Sequence, residues 1–138
     1  MKRLKLITSL FFIMLMMSCS PEGDEVRYNF EFLAIESVEL PDTLVLGQTH
    51  EIKVTYKRPT SCHVFNAFYY EKNLNVRTIA VNSIVTQRND CVTLDNVIEE
   101  ASINFYVTSN GSYIFKFWQG KDENGEDLFL EIEVPVED

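Results

Sequence analysis

The residues whose side chains could carry out chemistry are few in this chain. Cys62 and His63 are adjacent, Cys91 follows further along, and the second histidine, His50, lies in a different turn region. Thiolate and imidazole groups bind zinc, but a metal site usually needs three or four converging ligands. General-base catalysis has few candidates, and no nucleophile elbow or similar local motif is present. The sequence therefore predicts no catalytic residue, no metal site and no cofactor.

An acidic segment, residues 122–127, surrounds Gly125 with carboxylates and one amide. Calcium binds such oxygens, but an EF-hand loop needs glycine at its sixth position, with ligands at the first, third and fifth. Counted from Asp122, the glycine is fourth. A charged hairpin tip is the favoured interpretation, and weak calcium binding is the alternative.

The first eighteen residues have the parts of a bacterial export signal. Basic residues stand within the first five positions, and an apolar run follows from 6 to 17. That run has the length of a signal-peptide core and is short for a bilayer span. Ser18 is a small residue directly before Cys19, so residues 1–18 are predicted to be a cleaved signal peptide.

The stretch Leu15-Met16-Met17-Ser18-Cys19 resembles a lipobox, the motif at which bacterial lipoprotein precursors are lipidated and cut. The usual Leu three places before the Cys, and the usual small residue two places before it, are both Met here. The resemblance implies a diacylglyceryl thioether on Cys19 and an acylated amino group, which together anchor stably. An ordinary secretory signal with an incidental Cys is the alternative.

Residues 19–26 combine the lipidated Cys with a polar linker. Within it, residues 20–25 read SPEGDE, which resembles the export signal of Bacteroidetes surface lipoproteins. The resemblance implies an outer-membrane lipoprotein that lies on the outer face of the cell. A plain solvated linker is the alternative.

The two remaining cysteines, Cys62 and Cys91, are an even pair in an exported protein, which predicts a disulfide. By the loop-entropy model this bridge would contribute roughly 3–4 kcal/mol to stability. A redox or metal site that includes His63 is the alternative.

Short runs that alternate apolar and polar side chains, such as residues 28–32 and 52–56, fill the rest of the chain. Turn residues separate them, and no helical periodicity of useful length is present. The pattern predicts one all-β domain over 27–138, an antiparallel sandwich of about 7–9 strands. Residues 92–100 have the weakest pattern, and a loop or one helical turn is predicted for residues 95–100.

The last two strands can be aligned from their turn, because Asn124-Gly125 predicts a two-residue hairpin loop. One face is then apolar and the other carries an opposite-charge pair, as in a half-buried sheet. The predicted pairs are Phe117–Ile132 and Phe115–Val134 on the apolar face, with Lys116–Glu133, Trp118–Glu131 and Gly120–Phe129 on the other.

The stretch Asn110-Gly111-Ser112-Tyr113 resembles the approach to the sixth strand of immunoglobulin-like domains. In those domains a Gly permits the turn and a Tyr two residues later forms the tyrosine corner. Here Asn110 replaces the usual Asp, and Phe115 stands where the strand Cys would be. The resemblance implies that the sandwich is Ig-like.

Tyr106, Trp118 and Phe129 fall on the polar phase of their strands. If these strands are neighbours, the three rings form an exposed aromatic patch of the kind that binds sugars or proteins. The alternative is that another strand or a loop covers this face. The three residues are therefore the predicted ligand-binding residues.

The formal charge of the chain is −9, and nine basic against 21 acidic residues give −12 once residues 1–18 are removed. An acidic surface repels phosphate backbones, so nucleic acid is not an expected partner. The leading hypothesis is a non-enzymatic, lipid-anchored Ig-like module that binds an envelope protein or glycan. The alternatives are an accessory subunit of an outer-membrane complex and, less favoured, a small hydrolase.

Exposure on the cell surface is testable on intact cells. Protease added outside is expected to remove the domain, because a domain tethered to the outer face is within its reach. The measurement is loss of the domain by immunoblot, with a periplasmic protein as the control. A domain that survives on intact cells but is digested after lysis contradicts the outward address.

Overall fold

The computed structural model describes residues 26–138, which form β-strands and no helix. The all-β prediction is confirmed, while the signal segment 1–18, Cys19 and the linker to residue 25 lie outside the described residues. Within the described part, no helix has the length and apolarity to cross a membrane. The strands are β1 (Tyr28–Leu33), β2 (Ile35–Glu39), β3 (Leu44–Val45), β4 (Thr49–Lys57), β5 (His63–Asn73), β6 (Val76–Thr86), β7 (Ile98–Tyr106), β8 (Tyr113–Lys121), β9 (Asp127–Val134) and β10 (Val136–Glu137).

The larger sheet, called the large sheet below, is organised around β6. Strand β5 pairs antiparallel with β6 along one edge. Two strands share the opposite edge: β8 pairs with residues 76–79, and β1 pairs with residues 81–86. Strand β9 then pairs with β8. The small sheet has the order β2-β4-β7 and is antiparallel, and β3 and β10 form a separate two-stranded pair.

Two strand pairs are parallel, which differs from the predicted antiparallel arrangement. Strands β6 and β8 run parallel, and so do β10 and β3. After β6 the chain passes through β7 in the small sheet and returns to the large sheet as β8, so both strands enter in the same direction. The described residues form ten strands rather than seven to nine, and the two-residue strand β10 was not expected. Strand β7 begins at Ile98, where a loop or one helical turn was expected.

A single core collects side chains from both sheets. Alternate residues of β4 and β8 point inward, as their period of two requires. Tyr56 from the small sheet and Phe115 and Phe117 from the large sheet are almost completely buried. The Phe115 ring lies 5.1 Å from that of Phe105 at an interplanar angle of 81°, the edge-to-face packing that aromatic quadrupoles favour.

The β8–β9 hairpin is present, but the predicted register is wrong by two residues. Phe117 pairs with Leu130 rather than Ile132, and Trp118 pairs with Phe129 rather than Glu131. Because the side-chain period is two, a two-residue displacement leaves every side chain on its predicted face. The observed pairs are Tyr113–Val134, Ile114–Glu133, Phe115–Ile132, Lys116–Glu131, Phe117–Leu130 and Trp118–Phe129.

Two local features cause this displacement. The loop has three residues, since Asp122 N–H bonds to Glu126 O and Gly125 takes a positive φ of 84°. A type I turn followed by a left-handed Gly is the usual geometry of such a loop. A bulge between Trp118 and Lys121, where Gly120 has φ 105°, shifts the register by a second residue. Gly120 therefore does not face Phe129.

Tyr113 makes the contact of a tyrosine corner at the start of β8. Its hydroxyl oxygen accepts hydrogen bonds from the N–H groups of Ser109 (3.0 Å) and Thr108 (3.2 Å), and the side chain is fully buried. The buried guanidinium of Arg77 lies 4.8 Å from the Tyr113 ring centroid and donates to the carbonyls of Leu74 and Val76. These contacts join β8 to the beginning of β6, where the two strands run parallel.

Tyr113→Phe is expected to lower the free energy of unfolding by about 1–2 kcal/mol, because two N–H groups lose their acceptor. Urea unfolding of the mature protein measures this. Tyr106→Phe is the matched control, since Tyr106 is exposed and its hydroxyl loss should change stability by less than about 0.5 kcal/mol. Equal losses in the two variants contradict a special role for the Tyr113 hydroxyl.

Candidate ligand-binding groove

The structure brings together two of the three aromatic residues predicted to bind a ligand. Trp118 and Phe129 are cross-strand partners on the outer face of the large sheet. Tyr106 is exposed, but it lies on β7 in the small sheet. The prediction that all three form one patch is therefore wrong, because alternation reveals the phase of a strand but not the sheet that the strand joins.

Two further rings on this face were not predicted. Phe32 on β1 and Tyr69 on β5 project outward, with exposures of 45% and 42%. The aromatic residues of β1 point outward, while Leu33 and Ile35, which alternate with them, are buried. This pair of aliphatic residues is the sequence signal that could have assigned the faces of β1.

An open groove of about 430 Å³ crosses the outer face of the large sheet. Four rings from four strands line it, and the small side chain of Ala80 on β6 lies at its base. The aromatic groove is defined by Phe32, Tyr69, Ala80, Trp118 and Phe129, together with the polar residues Glu71, Thr78, Lys121 and Asp127.

The rings are inclined to one another and do not form a flat platform. The Phe32 centroid lies 5.6 Å from that of Tyr69 at an interplanar angle of 66°, and 6.0 Å from that of Trp118 at 60°. Such tilted contacts match the preferred geometry of aromatic pairs. Phe32 is therefore the ring that connects the two sides of the groove.

Each carboxylate in the groove orients one aromatic side chain. Asp127 Oδ1 accepts from Trp118 Nε1 and lies the same distance, 2.9 Å, from Lys121 Nζ. The ammonium of Lys121 and the indole N–H of Trp118 hold the pKa of Asp127 below its ordinary value. On the other side Tyr69 donates its hydroxyl to Glu71 Oε2 at 2.9 Å, which raises the pKa of Tyr69.

A cation of the protein itself already contacts one of these rings. Lys116 Nζ lies 4.8 Å from the centroid of Phe129 and 2.9 Å from Glu131 Oε1. A cation in this position is attracted by the negative face of the ring. The outer face of the large sheet thus combines aromatic rings, carboxylates and a cation–π contact.

The histidine–cysteine region, in contrast, is occupied by internal contacts. His63 is buried, with Nδ1 2.8 Å from Thr60 Oγ1 and Nε2 3.1 Å from Glu31 Oε2. Thr60 Oγ1 also accepts from the N–H of Cys62 at 3.2 Å. The order hydroxyl, imidazole, carboxylate resembles a hydrolase triad, but Thr60 holds His63 to the preceding turn and Glu31 connects His63 to β1. These contacts favour a structural role for His63.

The predicted disulfide is confirmed, since Cys62 and Cys91 are bonded. The second histidine, His50, accepts a hydrogen bond from Val45 N–H at 3.0 Å, which holds the loop before β4. Among residues 26–138, no three His, Cys, Asp or Glu side chains converge as metal ligands. In the acidic segment, Asp122 Oδ1 accepts the N–H groups of Glu126 and Asn124 and caps the turn.

No protein-family model, curated protein or solved structure matches this chain. The fold and the groove define a disulfide-bonded, all-β domain whose large sheet presents aromatic rings on its outer face. The groove lining combines these rings with two carboxylates, an ammonium and a hydroxyl.

The contact between Trp118 and Asp127 leads us to expect that Trp118 emission depends on pH. The folded pKa of Asp127 is lowered, so its stabilising contact is complete above the ordinary aspartate pKa of about 3.9 and is lost as pH falls through the lower folded value. Trp118 is the single tryptophan. Its emission is therefore expected to change with a midpoint below the ordinary aspartate value.

Fluorescence during an acid titration measures this change. Asp127→Asn is expected to abolish the transition, because the amide does not titrate. Glu131→Gln, which changes a carboxylate on the same strand outside the groove, is expected to retain it. A transition that persists in Asp127→Asn contradicts the assignment.

Proposed function

We propose that this protein is a non-enzymatic binding module of the bacterial cell envelope. Lipid on Cys19 holds it at the outer membrane, and the aromatic groove on the large sheet takes the ligand. The observation that carries the proposal is the groove itself, in which four rings from four strands meet around Ala80.

The size and composition of the groove support this function. Ligand sites are concave, about 300–1,000 Å³ in volume, and lined by apolar and aromatic side chains with a few polar groups. The aromatic groove has about 430 Å³ and four rings with four polar or charged residues. Its rings remain partly exposed although each offers a large area for burial, which is typical of interaction sites.

The proposal includes an Ig-like sandwich as the scaffold. The tyrosine corner of Tyr113 supports it, and so does the single core that receives residues from both sheets. The parallel pairing of β6 and β8 is a departure from the antiparallel sheets of Ig domains. The scaffold is therefore proposed as a variant of that architecture.

The cellular address in this proposal rests on the amino-terminal sequence. The lipobox resemblance around Cys19 supports lipid attachment, and the SPEGDE stretch supports the outer face of the outer membrane. The charge of −9 disfavours nucleic acid as the ligand. The candidate ligands are an envelope protein, a glycan and a small molecule.

An accessory subunit of an outer-membrane complex is the second candidate. It is favoured by the apolar surface that continues beyond the groove along β1 and β5. Tyr28, Phe30 and Val64 are each more than half exposed on this same face. An accessory subunit would cover them with a partner protein, so it predicts co-purification with integral outer-membrane proteins.

Binding is tested by titrating the mature protein with neutral oligosaccharides, small organic ammonium ions and short peptides. At least one class is expected to change Trp118 emission saturably, because the single tryptophan lines the groove. Phe129→Ala is expected to weaken that binding about fivefold, since a ring contact contributes on the order of 1 kcal/mol.

Tyr106→Ala is the matched control, because it removes an exposed ring from the small sheet. Binding is expected to be unchanged in this variant, and thermal unfolding should verify that both variants are folded. Absence of binding by all three classes, or equal weakening in both variants, argues against the groove as the binding site.

A further inference from the structure

The inclination of the rings distinguishes between two kinds of ligand. A pyranose stacks its flat face on one aromatic plane, whereas a rounded cation can touch several inclined rings at once. Phe32 is tilted by 66° against Tyr69 and by 60° against Trp118. The groove therefore has inclined walls, which suit a rounded group better than a flat one.

The charges in the groove favour a cation. Glu71 and Asp127 contribute two carboxylates, and Lys121 contributes one ammonium, so the lining carries a net negative charge. Lys121 is 2.9 Å from Asp127, which leaves Glu71 without a cationic side chain in the lining. The whole chain is also acidic, with a formal charge of −9. This field attracts small cations and repels anions.

The aromatic lining of the groove favours an alkylated cation over a primary ammonium. Trp118 and Lys121 engage one oxygen of Asp127, and Tyr69 engages one oxygen of Glu71. A primary ammonium must replace its water with acceptors for three N–H groups. A quaternary ammonium has no N–H group, is weakly hydrated and presents methyl groups that pack on aromatic faces.

We propose that the aromatic groove binds a small organic cation through a quaternary ammonium head group. The inference rests on the proposed binding function and names its ligand class. The head group lies in the groove that Phe32, Tyr69 and Trp118 line, with Glu71 as the counter-charge. The contact between Lys116 and Phe129, 4.8 Å from nitrogen to ring centroid, is the same type of interaction within the chain.

The test compares two probes that have nearly the same shape. Choline carries the charged nitrogen, and 3,3-dimethylbutan-1-ol replaces that nitrogen with a neutral carbon. Trp118 emission and amide chemical shifts of the mature protein measure the dissociation constant of each probe. Choline is expected to bind at least about tenfold more tightly than its neutral analogue, because only choline gains the cation–π and carboxylate interactions.

Two variants locate the interaction. Glu71→Gln is expected to weaken choline several-fold and to leave the neutral analogue unchanged, since it removes charge and retains shape. Glu133→Gln is the matched control, because Glu133 pairs with Ile114 and does not line the groove. Choline binding is also expected to weaken as salt is added, since counter-ions screen an exposed pair.

The comparison on the unmodified protein does not depend on a variant being folded. Equal affinity for the two probes overturns the inference, because binding would then depend on burying the apolar surface of the probe and not on its charge. A neutral oligosaccharide or a peptide that binds where choline does not also overturns the inference, while the proposed binding function stands. If no probe and no member of the three-class panel binds, both the inference and the proposed function fail.

Discussion

One edge of β6 is shared by two strands, and the rest of the molecule depends on this constraint. Ile79 pairs with Phe117 of β8, while Val81, two residues later, pairs with Leu33 of β1. Ala80 lies between them, at the point where the partner changes. Since two strands cannot occupy the same ladder, β1 must leave for the small sheet after Leu33, and β8 must diverge beyond Phe117.

The aromatic groove is a consequence of this divergence. Phe32 is one residue before the end of β1, and Trp118 is one residue beyond the last β8 partner of β6, so the junction places their rings side by side. Gly120, with φ 105°, permits the bulge that turns β8 away. Ala80 adds no bulk at the base. A larger side chain there would fill the space between the rings.

The parallel part of the junction is stabilised by a buried cation. Arg77 is 3% exposed, and its guanidinium contacts the carbonyls of Leu74 and Val76 and the face of Tyr113. A buried charge is costly unless hydrogen bonds and nearby dipoles replace its water. The carbonyl of Leu74, whose φ of 53° is unfavourable for a branched side chain, supplies part of this compensation. The turn and the buried guanidinium thus support each other.

Local sequence patterns predicted the strands, the disulfide, the tyrosine corner and the inward faces of β8 and β9. Register and sheet membership depended on features outside these patterns. The Asn-Gly dipeptide suggested a two-residue loop, whereas Asp122 and Gly125 at the first and fourth positions indicate the type I turn that forms. Alternation within β1 alone favours an inward aromatic face, and only the continuation of the opposite phase through Leu33 and Ile35, which are buried, indicates that the aromatic residues point outward. Tyr106 and Trp118 lie on different sheets, because the chain crosses from the small sheet to the large sheet between β7 and β8.

Strand β1 connects the proposed lipid tether to the aromatic groove. A lipid on Cys19 would pull on the chain at Val26, just before β1, and Phe32 on the same strand lines the groove. Tyr28 and Phe32 are about 13 Å apart along an extended strand, so force from a bound ligand reaches the tether through one short stretch of backbone. Residues 28–33 of β1 pair with β6, so a pull along the strand axis would load these ladder hydrogen bonds in shear. If the proposed ligand binds in the groove, tension between ligand and lipid would act along β1.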